Sequence, residues 1–194
     1  MRIGVLAVQG DFAAHGRVLE QLGVPWCEVR HPEQLREISG LILPGGESTT
    51  MLKFLLEEGF WEPLQELARR GGAFFGTCAG AILLAREVTN PRQPSLGFMD
   101  ISVERNAYGR QINSFVDRAL SPVFGPPPLE MIYIRAPIIT RVGPGVEVLA
   151  EHGGYPVLVQ QGRCLAATFH PELTDDRRVH KRFLQLAEAA SARG

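Results

Sequence analysis

The sequence predicts a single domain with a three-layer α/β fold, in which helices cover both faces of a mostly parallel, twisted sheet. The chain has 194 residues, 45% of them hydrophobic and 21% charged, which is typical of one ordinary globular core. In the first half, apolar runs alternate with helix-like segments, the pattern of a parallel sheet. In the second half, β-like runs follow one another closely, so extra antiparallel strands are expected there. We therefore treat residues 1–194 as one domain.

In the first half, short apolar runs predict strands, and glycines mark the ends of the helices between them. Residues 3–8 form a continuous apolar run, as in a strand that is covered on both faces. Asp11 is placed to cap the helix that follows, and Pro63 lies in the first turn of another helix. The predicted strands are 3–8, 26–29, 41–43 and 73–75, and the predicted helices end at 22, 58, 70 and 86.

The second half predicts six further strands and a closing helix. Gln161-Gly162-Arg163 forms a hairpin-like turn between the last two of these strands. The predicted strands are 101–103, 112–116, 131–134, 146–150, 156–160 and 164–169, and the helix runs from about 174 to 190.

The charge balance and the cysteines exclude several classes of protein. The chain has 20 basic and 21 acidic residues, with no run of like charges, so neither nucleic acid nor a membrane surface is an expected partner. No apolar run approaches the roughly 18 residues of a membrane span, and the N-terminus resembles a first strand rather than a signal peptide. Cys27, Cys78 and Cys164 are far apart and odd in number, which favours a reducing compartment such as the cytoplasm.

Cys78 stands out because it lies between a predicted strand and a predicted helix in the segment FGTCAG. Gly76-x-Cys78-x-Gly80 is the thiol version of the strand-turn-helix elbow, whose small residues allow a sharp turn that exposes a nucleophile. Backbone N–H groups at a helix start favour the thiolate. The alternative is a small buried cysteine at a tight turn. Cys27 and Cys164 lie within apolar strands and carry no such context.

His170-Pro171-Glu172 follows the last predicted strand and offers a base with an orienting acid. We expect Glu172 to hold the imidazole so that its other nitrogen faces Cys78. The alternative is a loop histidine before a helix-entry acid. A metal site is a weaker alternative, because no further ligands with matching spacing follow. The remaining histidines lack a comparable context, and His180 is expected on the exposed face of the last helix.

Gly45-Gly46 follows a predicted strand and would present a backbone N–H to a developing oxyanion. The N–H of Ala79, the residue after the proposed nucleophile, would be its partner. A plain turn or a phosphate-binding loop remains an alternative. Neither of the usual glycine-rich nucleotide motifs is present, which disfavours nucleotide binding.

Several segments together resemble the class I glutamine amidotransferases, which share a flavodoxin-like fold. The segments FGTCAG, LILPGGEST and FHPEL carry this resemblance. Within that class, VQGDFAAH, RNAYGRQINSF and IYIRAP resemble the branch of glutaminase subunits of pyridoxal 5'-phosphate synthase. The resemblance implies that Cys78 is the nucleophile, that His170 is the base and acid, and that Glu172 orients it.

The resemblance also implies a substrate, a partner and a set of substrate-binding residues. The substrate is L-glutamine, and the partner is the synthase (lyase) subunit of a hetero-oligomer that receives the ammonia. No cofactor and no metal are expected. A guanidinium suits the α-carboxylate of glutamine. The implied glutamine-binding residues are Gly46, Glu47, Ser48, Arg105, Ile134 and Arg135.

Two other interpretations remain open at this point. One is a glutaminase that serves a different acceptor synthase, and the other is a non-catalytic or chaperone-like relative with the same cysteine elbow. The sequence departs from the branch at Asp11 and Asn113, neither of which touches the proposed triad. The resemblance also implies that the glutaminase is idle until its partner docks, and we expect the Gly45-Gly46 peptide to turn toward the site on docking, with Gln9-Gly10 as its neighbour.

Overall fold

The computed structural model describes residues 1–106 and 114–191, which contain twelve strands and five α-helices. The strands are β1 (Ile3–Leu6), β2 (Trp26–Val29), β3 (Gly40–Leu43), β4 (Ala73–Thr77), β5 (Ala85–Thr89), β6 (Met99–Glu104), β7 (Ser114–Ala119), β8 (Leu129–Ile134), β9 (Ile138–Val142), β10 (Glu147–His152), β11 (Tyr155–Gln161) and β12 (Cys164–Ala167). The α-helices are α1 (Phe12–Gln21), α2 (Ser48–Glu57), α3 (Trp61–Arg69), α4 (Ala79–Leu84) and α5 (Arg178–Ser191). Two short 3-10 helices cover Pro32–Glu37 and Pro171–Leu173.

A seven-stranded sheet forms the centre of the molecule, in the order β10-β11-β12-β4-β3-β1-β2. The five strands from β12 to β2 are parallel to one another, whereas β11 runs antiparallel to both of its neighbours, β12 and β10. Every residue of β1, β3 and β4 is buried, which explains why these strands are continuous apolar runs rather than alternating ones. The predicted α/β class, with antiparallel strands added by the second half, is confirmed.

Helices cover both faces of this sheet and enclose two apolar cores. One core packs α2, α3 and α4 against the sheet, around residues such as Met51, Leu55 and Leu64. The other packs α5, part of α1 and the β7-β8 hairpin against the opposite face, around Tyr133 and Phe183. The hairpin therefore lies outside the main sheet but shares one of its cores.

Two strands were not predicted. Residues 85 and 86 were assigned to the end of a helix, but α4 ends at Leu84 and β5 begins at Ala85. β5 pairs with β6, and β6 pairs with β9, to form a separate three-stranded sheet. In β5, the adjacent charged residues Arg86 and Glu87 are exposed, whereas Ala85 and Val88 on either side of them are buried. No strict alternation therefore marks this strand beside the strongly apolar helix.

The predicted strand 112–116 is only partly within the described residues, since positions 112 and 113 lie outside them; the strand that is described there is β7. Across residues 1–106 and 114–191, no helix combines the length and the apolar content that a membrane crossing requires.

Candidate active site

Cys78 lies at a strained turn between β4 and α4. Its backbone has φ of +50° and ψ of −105°, a left-handed conformation that residues with a side chain rarely adopt. The N–H of Cys78 donates to the carbonyl of Ala167 on β12, at 2.9 Å. The side chain is 6% exposed. The turn therefore holds the sulfur at the carboxyl ends of two neighbouring parallel strands.

The glycines on either side of Cys78 are required by close backbone contacts. A Cβ on Gly80 would lie 1.9 Å from the carbonyl oxygen of Leu43, and one on Gly76 would lie 2.4 Å from the carbonyl of Gly80. No side chain fits at such distances. The G-x-C-x-G spacing is thus explained by the packing of the elbow against β3 and against itself.

His170 and Glu172 lie just beyond β12 and form a buried pair. Nδ1 of His170 is 2.7 Å from Oε1 of Glu172, and the two residues are 4% and 6% exposed. The backbone N–H of His170 donates to the carbonyl of Ile132 on β8, at 2.8 Å. Glu172 belongs to the 3-10 helix Pro171–Leu173, so the pair forms across a tight turn.

The second nitrogen of His170 is not used by Glu172. Nε2 is buried and has no hydrogen-bond partner among the described residues, and His170 and Cys78 line one cleft of about 280 Å³. Burial lowers the pKa of His170, but its interactions with Cys78 and Glu172 outweigh burial and raise the pKa to about 10. Cys78 and His170 thus share one cleft, Glu172 is bonded to the other nitrogen of the imidazole, and the imidazole carries positive charge at neutral pH.

Burial raises the pKa values of Glu172 and of the two other cysteines. Burial raises the pKa of Glu172, although its hydrogen bond to His170 opposes that effect. Burial also raises the pKa of Cys27, and it raises the pKa of Cys164 to about 12. Because the thiolate is the reactive form, neither of these two cysteines is a candidate nucleophile.

The Gly45-Gly46 loop and Ala79 lie beside Cys78, where the sequence predicts the oxyanion hole. Gly46 lines the cleft, and Ala79 is the first residue of α4, so its N–H has no acceptor within the helix. The carbonyl of Gly45 faces the Gly10-Asp11 turn and accepts from the N–H of Asp11 at 3.4 Å. A Cβ on Gly10 would lie 1.6 Å from this carbonyl oxygen. Gly45-Gly46 and Gln9-Gly10, which the sequence predicts to be neighbours, thus lie in contact.

Glu47 and Ser48 begin α2, and their side chains have local partners. The carboxylate of Glu47 accepts from the N–H groups of Thr49 and Thr50 as a helix cap and lies 3.4 Å from the guanidinium of Arg105. Burial raises the pKa of Glu47, but the hydrogen bonds from the side chains and N–H groups of Thr49 and Thr50 together outweigh burial and lower the pKa to about 2. Ser48 donates to the side-chain oxygen of Gln93. These three predicted binding residues are grouped together, outside the set that lines the cleft.

Ile134 and Arg135 form the opposite wall of the cleft, at the end of β8. The carbonyl of Ile134 accepts from the thiol of Cys78, with Sγ and O 3.7 Å apart. Arg135 has φ of +46°, so the chain turns sharply just where it borders the cleft. The backbone of His170, the proposed base, is hydrogen-bonded to β8, so this wall and the base are held in a fixed relation.

Sequence reasoning missed three residues around the site. Asp11, which was expected to lie away from the triad, lines the cleft beside Gly10, and His15 and His180 are fully buried behind it. The expectation of an exposed His180 was wrong. A signal was present in both helices: His15 precedes Val18 and Leu19 by three and four residues, and His180 precedes Phe183 by three, which places each histidine on the apolar face.

Asp11, His170 and Glu172 also bring one possible metal-ligand atom each to within 4.8 Å of one another. Sequence spacing did not indicate this set. In the structure, Nδ1 of His170 and Oε1 of Glu172 are bonded to each other, which is the arrangement of an acid–base pair.

Comparisons with known proteins agree with this geometry. The model of the SNO glutamine amidotransferase family matches residues 5–189. The chain is 58% identical to the pyridoxal 5'-phosphate synthase subunit PdxT of Koribacter versatilis, over 96% of this chain and 95% of that protein. It is 56% identical to the subunit of the same name from Pelotomaculum thermopropionicum, over 95% and 94%. A crystal structure of a glutamine amidotransferase, 49% identical, superposes with a TM-score of 0.90 over 96% of this chain and 98% of that one. The chain therefore belongs to the SNO glutamine amidotransferase family.

Proposed function

We propose that this chain is the glutaminase subunit of a pyridoxal 5'-phosphate synthase and that residues 1–194 act as one glutaminase domain. It hydrolyses L-glutamine to L-glutamate and ammonia and passes the ammonia to a separate synthase subunit, in a hetero-oligomer. The relatives at 58% and 56% identity carry the name of such a subunit. The observation that carries the proposal is the strained Cys78 beside the buried His170–Glu172 pair.

In the first half of the reaction, the thiolate of Cys78 attacks the side-chain carboxamide carbon of glutamine. A C–S bond forms, and the carbonyl electrons move to the oxygen. The N–H groups of Gly46 and Ala79 stabilise this oxyanion; the loss of one such donor typically costs roughly 10²–10³ in rate. When the intermediate collapses, the C–N bond breaks and His170 protonates the departing nitrogen, which leaves as ammonia.

In the second half, water hydrolyses the γ-glutamyl thioester. His170, now neutral, takes a proton from the water, whose oxygen attacks the thioester carbon. The C–S bond then breaks, glutamate leaves, and the thiolate faces a protonated His170 again. Glu172 keeps Nδ1 of His170 protonated throughout, so that Nε2 performs both transfers.

The remaining predicted residues bind the substrate in this proposal. Arg105 and Arg135 are the cations for the α-carboxylate of glutamine. The main chain of Gly46 and Ile134 borders the reacting amide, while Glu47 and Ser48 hold the loop that carries Gly46. The capping of α2 by Glu47 supports such a holding role.

Docking of the synthase would control the site through the Gly45-Gly46 peptide. In the structure, the carbonyl of Gly45 faces Gly10 and Asp11. Rotation of this peptide on docking would redirect the N–H of Gly46, and Gln9-Gly10 would rearrange with it. Equal rates of glutamate release from the isolated chain and from the assembled complex would contradict this control.

The test of the function combines the purified chain with a pyridoxal 5'-phosphate synthase subunit and measures glutamate release and ammonia incorporation. Cys78→Ala should abolish glutamate release while binding to the synthase stays intact. Cys27→Ala is the matched control, because Cys27 lies on the edge strand β2, and it should retain wild-type activity.

A glutamine-mimicking electrophile followed by peptide mass mapping separates this function from its alternatives. An adduct on Cys78 alone supports a glutaminase, whereas no adduct supports a non-catalytic relative. Glutamate release without transfer of ammonia to the synthase product would indicate a glutaminase that serves another acceptor.

A further inference from the structure

Behind the proposed triad, two buried histidines from separate helices contact each other. Nδ1 of His15, on α1, lies 2.9 Å from Nε2 of His180, on α5. Both residues are fully buried, and the edge of the Phe75 ring packs against both imidazoles. The proposed reaction uses neither of them.

The other nitrogen of His15 faces the catalytic side. Nε2 lies 3.2 Å from Oγ1 of Thr77, the residue before Cys78, and 3.6 Å from Oε2 of Glu172. Oε2 is buried and has no hydrogen-bond partner. A buried carboxylate oxygen without a donor is costly, and Nε2 of His15 is a ring nitrogen that faces it at 3.6 Å.

Both histidines of the pair are neutral at pH 7. Burial is the main cause that lowers the pKa of His15 well below its usual value, and the charges of His180 and His170 add to it. Burial and the charge of Arg177 lower the pKa of His180 to about 3. Each ring therefore carries one N–H, and the positions of these two protons can be deduced from the contacts.

Only one assignment puts a donor in front of the carboxylate. If Nε2 of His180 donates to Nδ1 of His15, the proton of His15 lies on Nε2, toward Thr77 and Glu172. The unpartnered Nδ1 of His180 is then only a buried acceptor. The reverse assignment would bury an N–H of His180 without a partner and point a lone pair of His15 at Glu172. Buried orphan N–H groups are the rarer of the two, so the first assignment holds.

We propose that His15, supported by His180, is a positioning residue for the glutaminase, which holds Oε2 of Glu172 and Oγ1 of Thr77 through its Nε2–H. This rests on the proposed function of His170 and Glu172. The separation of 3.6 Å exceeds a hydrogen bond, and a movement of roughly 0.5 Å closes it. Through this contact the imidazole keeps the carboxylate charged and turned toward His170, and it ties the same carboxylate to the elbow.

The charges around Glu172 give this contact a measurable effect. Burial is the main cause that raises the pKa of Glu172, and the charge of Asp11 adds to it, while His170 and the backbone N–H of Glu172 itself lower the pKa. His15 adds a donor on the side where Oε2 has none. Removing that donor leaves burial and Asp11 less opposed, so Glu172 takes up its proton at higher pH, and the acid limb of activity moves upward.

The test compares two variants of one buried residue. In His15→Gln, the side-chain amide nitrogen takes the place of Nε2, whereas in His15→Asn it takes the place of Nδ1, and the donor to Glu172 is lost. In complex with the synthase, we expect His15→Asn to lower kcat roughly tenfold, as for lost outer partners in other sites, with KM within about twofold. The acid limb of kcat/KM should rise by about one pH unit.

His15→Gln should restore most of kcat and the wild-type acid limb. His31→Gln, at an exposed histidine before the 3-10 helix Pro32–Glu37, is the matched surface control and should behave as wild type. Melting temperature and binding to the synthase show whether each variant is folded. Should His15→Asn not fold, His180→Phe removes the support of His15 and should shift the acid limb in the same direction by less.

Alkylation of Cys78 by iodoacetamide in the isolated chain gives a second readout that needs no partner. At pH 7 it should slow in His15→Asn and recover in His15→Gln. Equal acid limbs and equal alkylation rates in both variants and the wild type would overturn the proposal, as would equal losses in both variants with an unmoved acid limb. If the wild-type complex released no glutamate, the proposed function itself would fail, and that result is separate from any difference between the variants.

Discussion

Two buried imidazoles face the two oxygens of the Glu172 carboxylate, His170 at Oε1 and His15 at Oε2. The protonation of the His170–Glu172 pair differs from that of the His15–His180 pair. In the His170–Glu172 pair, the imidazole is held charged, with a pKa of about 10. In the His15–His180 pair, both rings are neutral, and the pKa of His180 is about 3. Both pairs are buried, so burial alone does not decide the charge. The difference lies in the partner, since an anion stabilises the imidazolium and a second imidazole does not.

This contrast shows how one fold places a proton donor, His170, within a few ångströms of a neutral pair with fixed hydrogen bonds, His15 and His180. A charged His170 can protonate a leaving amide nitrogen, whereas a ring with a very low pKa keeps its hydrogen-bond pattern over the working range of pH. A hydrogen bond from the neutral imidazole of His15 can hold the carboxylate of Glu172 without neutralising its negative charge.

The largest expected effect comes from Glu172→Gln, which would make the two pairs alike. The amide keeps the shape but removes the anion, so the pKa of His170 should fall and its tautomer is no longer fixed. We expect kcat for glutamate release to drop roughly 10³–10⁴-fold, as when the acid of a comparable triad becomes an amide. Glu188→Gln, on the exposed side of α5, is the control. Activity within tenfold of wild type would show that the charge of Glu172 is unimportant.

An intermediate effect is expected on acid stability. His180 has a folded pKa of about 3, below the value of about 6.5 for an unfolded chain, so its contribution is present above pH 6.5 and is lost as the pH falls toward 3. Between pH 7 and pH 4.5, the free energy of unfolding should therefore fall by roughly 2 kcal/mol more in the wild type than in His180→Phe. Urea unfolding at the two pH values measures this. His170 should behave oppositely, its contribution being lost as the pH rises through about 10.

The smallest effect is expected from Thr77→Val, which tests how His15 divides its N–H between two acceptors. The variant keeps the shape of a fully buried side chain and removes one hydrogen bond to His15. We expect a loss of about 1 kcal/mol in unfolding free energy, with kcat within about twofold, because His15 still faces Glu172. A drop in kcat as large as that of His15→Asn would mean that Thr77, not Glu172, is the main acceptor.

The parts of the fold that could be predicted are those with a strong local pattern. The buried strands β1, β3 and β4 are continuous apolar runs, and glycines follow α1 and α3, so these elements were predicted nearly to their ends. β5 was missed because it follows an apolar helix directly and its adjacent charged residues show no alternation. β9 was missed because its pairing with β6, and no pattern of its own, makes it a strand.

Within the candidate site, the elbow and the His170–Glu172 segment were recognisable because each places reactive residue types beside a strand end. Their roles stay predictions until variants are measured. His180 was assigned to the wrong face because its polar ring outweighed the helical period that it shares with Phe183 and Ala187. The contact between His15 and Glu172 joins α1 to a turn more than 150 positions later, and no spacing in the sequence encodes it.

Gly45 has a consequence for how this enzyme can be switched. A Cβ at that position would lie 2.4 Å from Cε1 of His170, so the loop lies directly beside the imidazole. If docking rotates this loop, as proposed, the movement takes place against the imidazole, so the loop and the proposed proton carrier would respond together. Even a methyl group at position 45 would clash with the ring, hinder such a rotation and displace the imidazole.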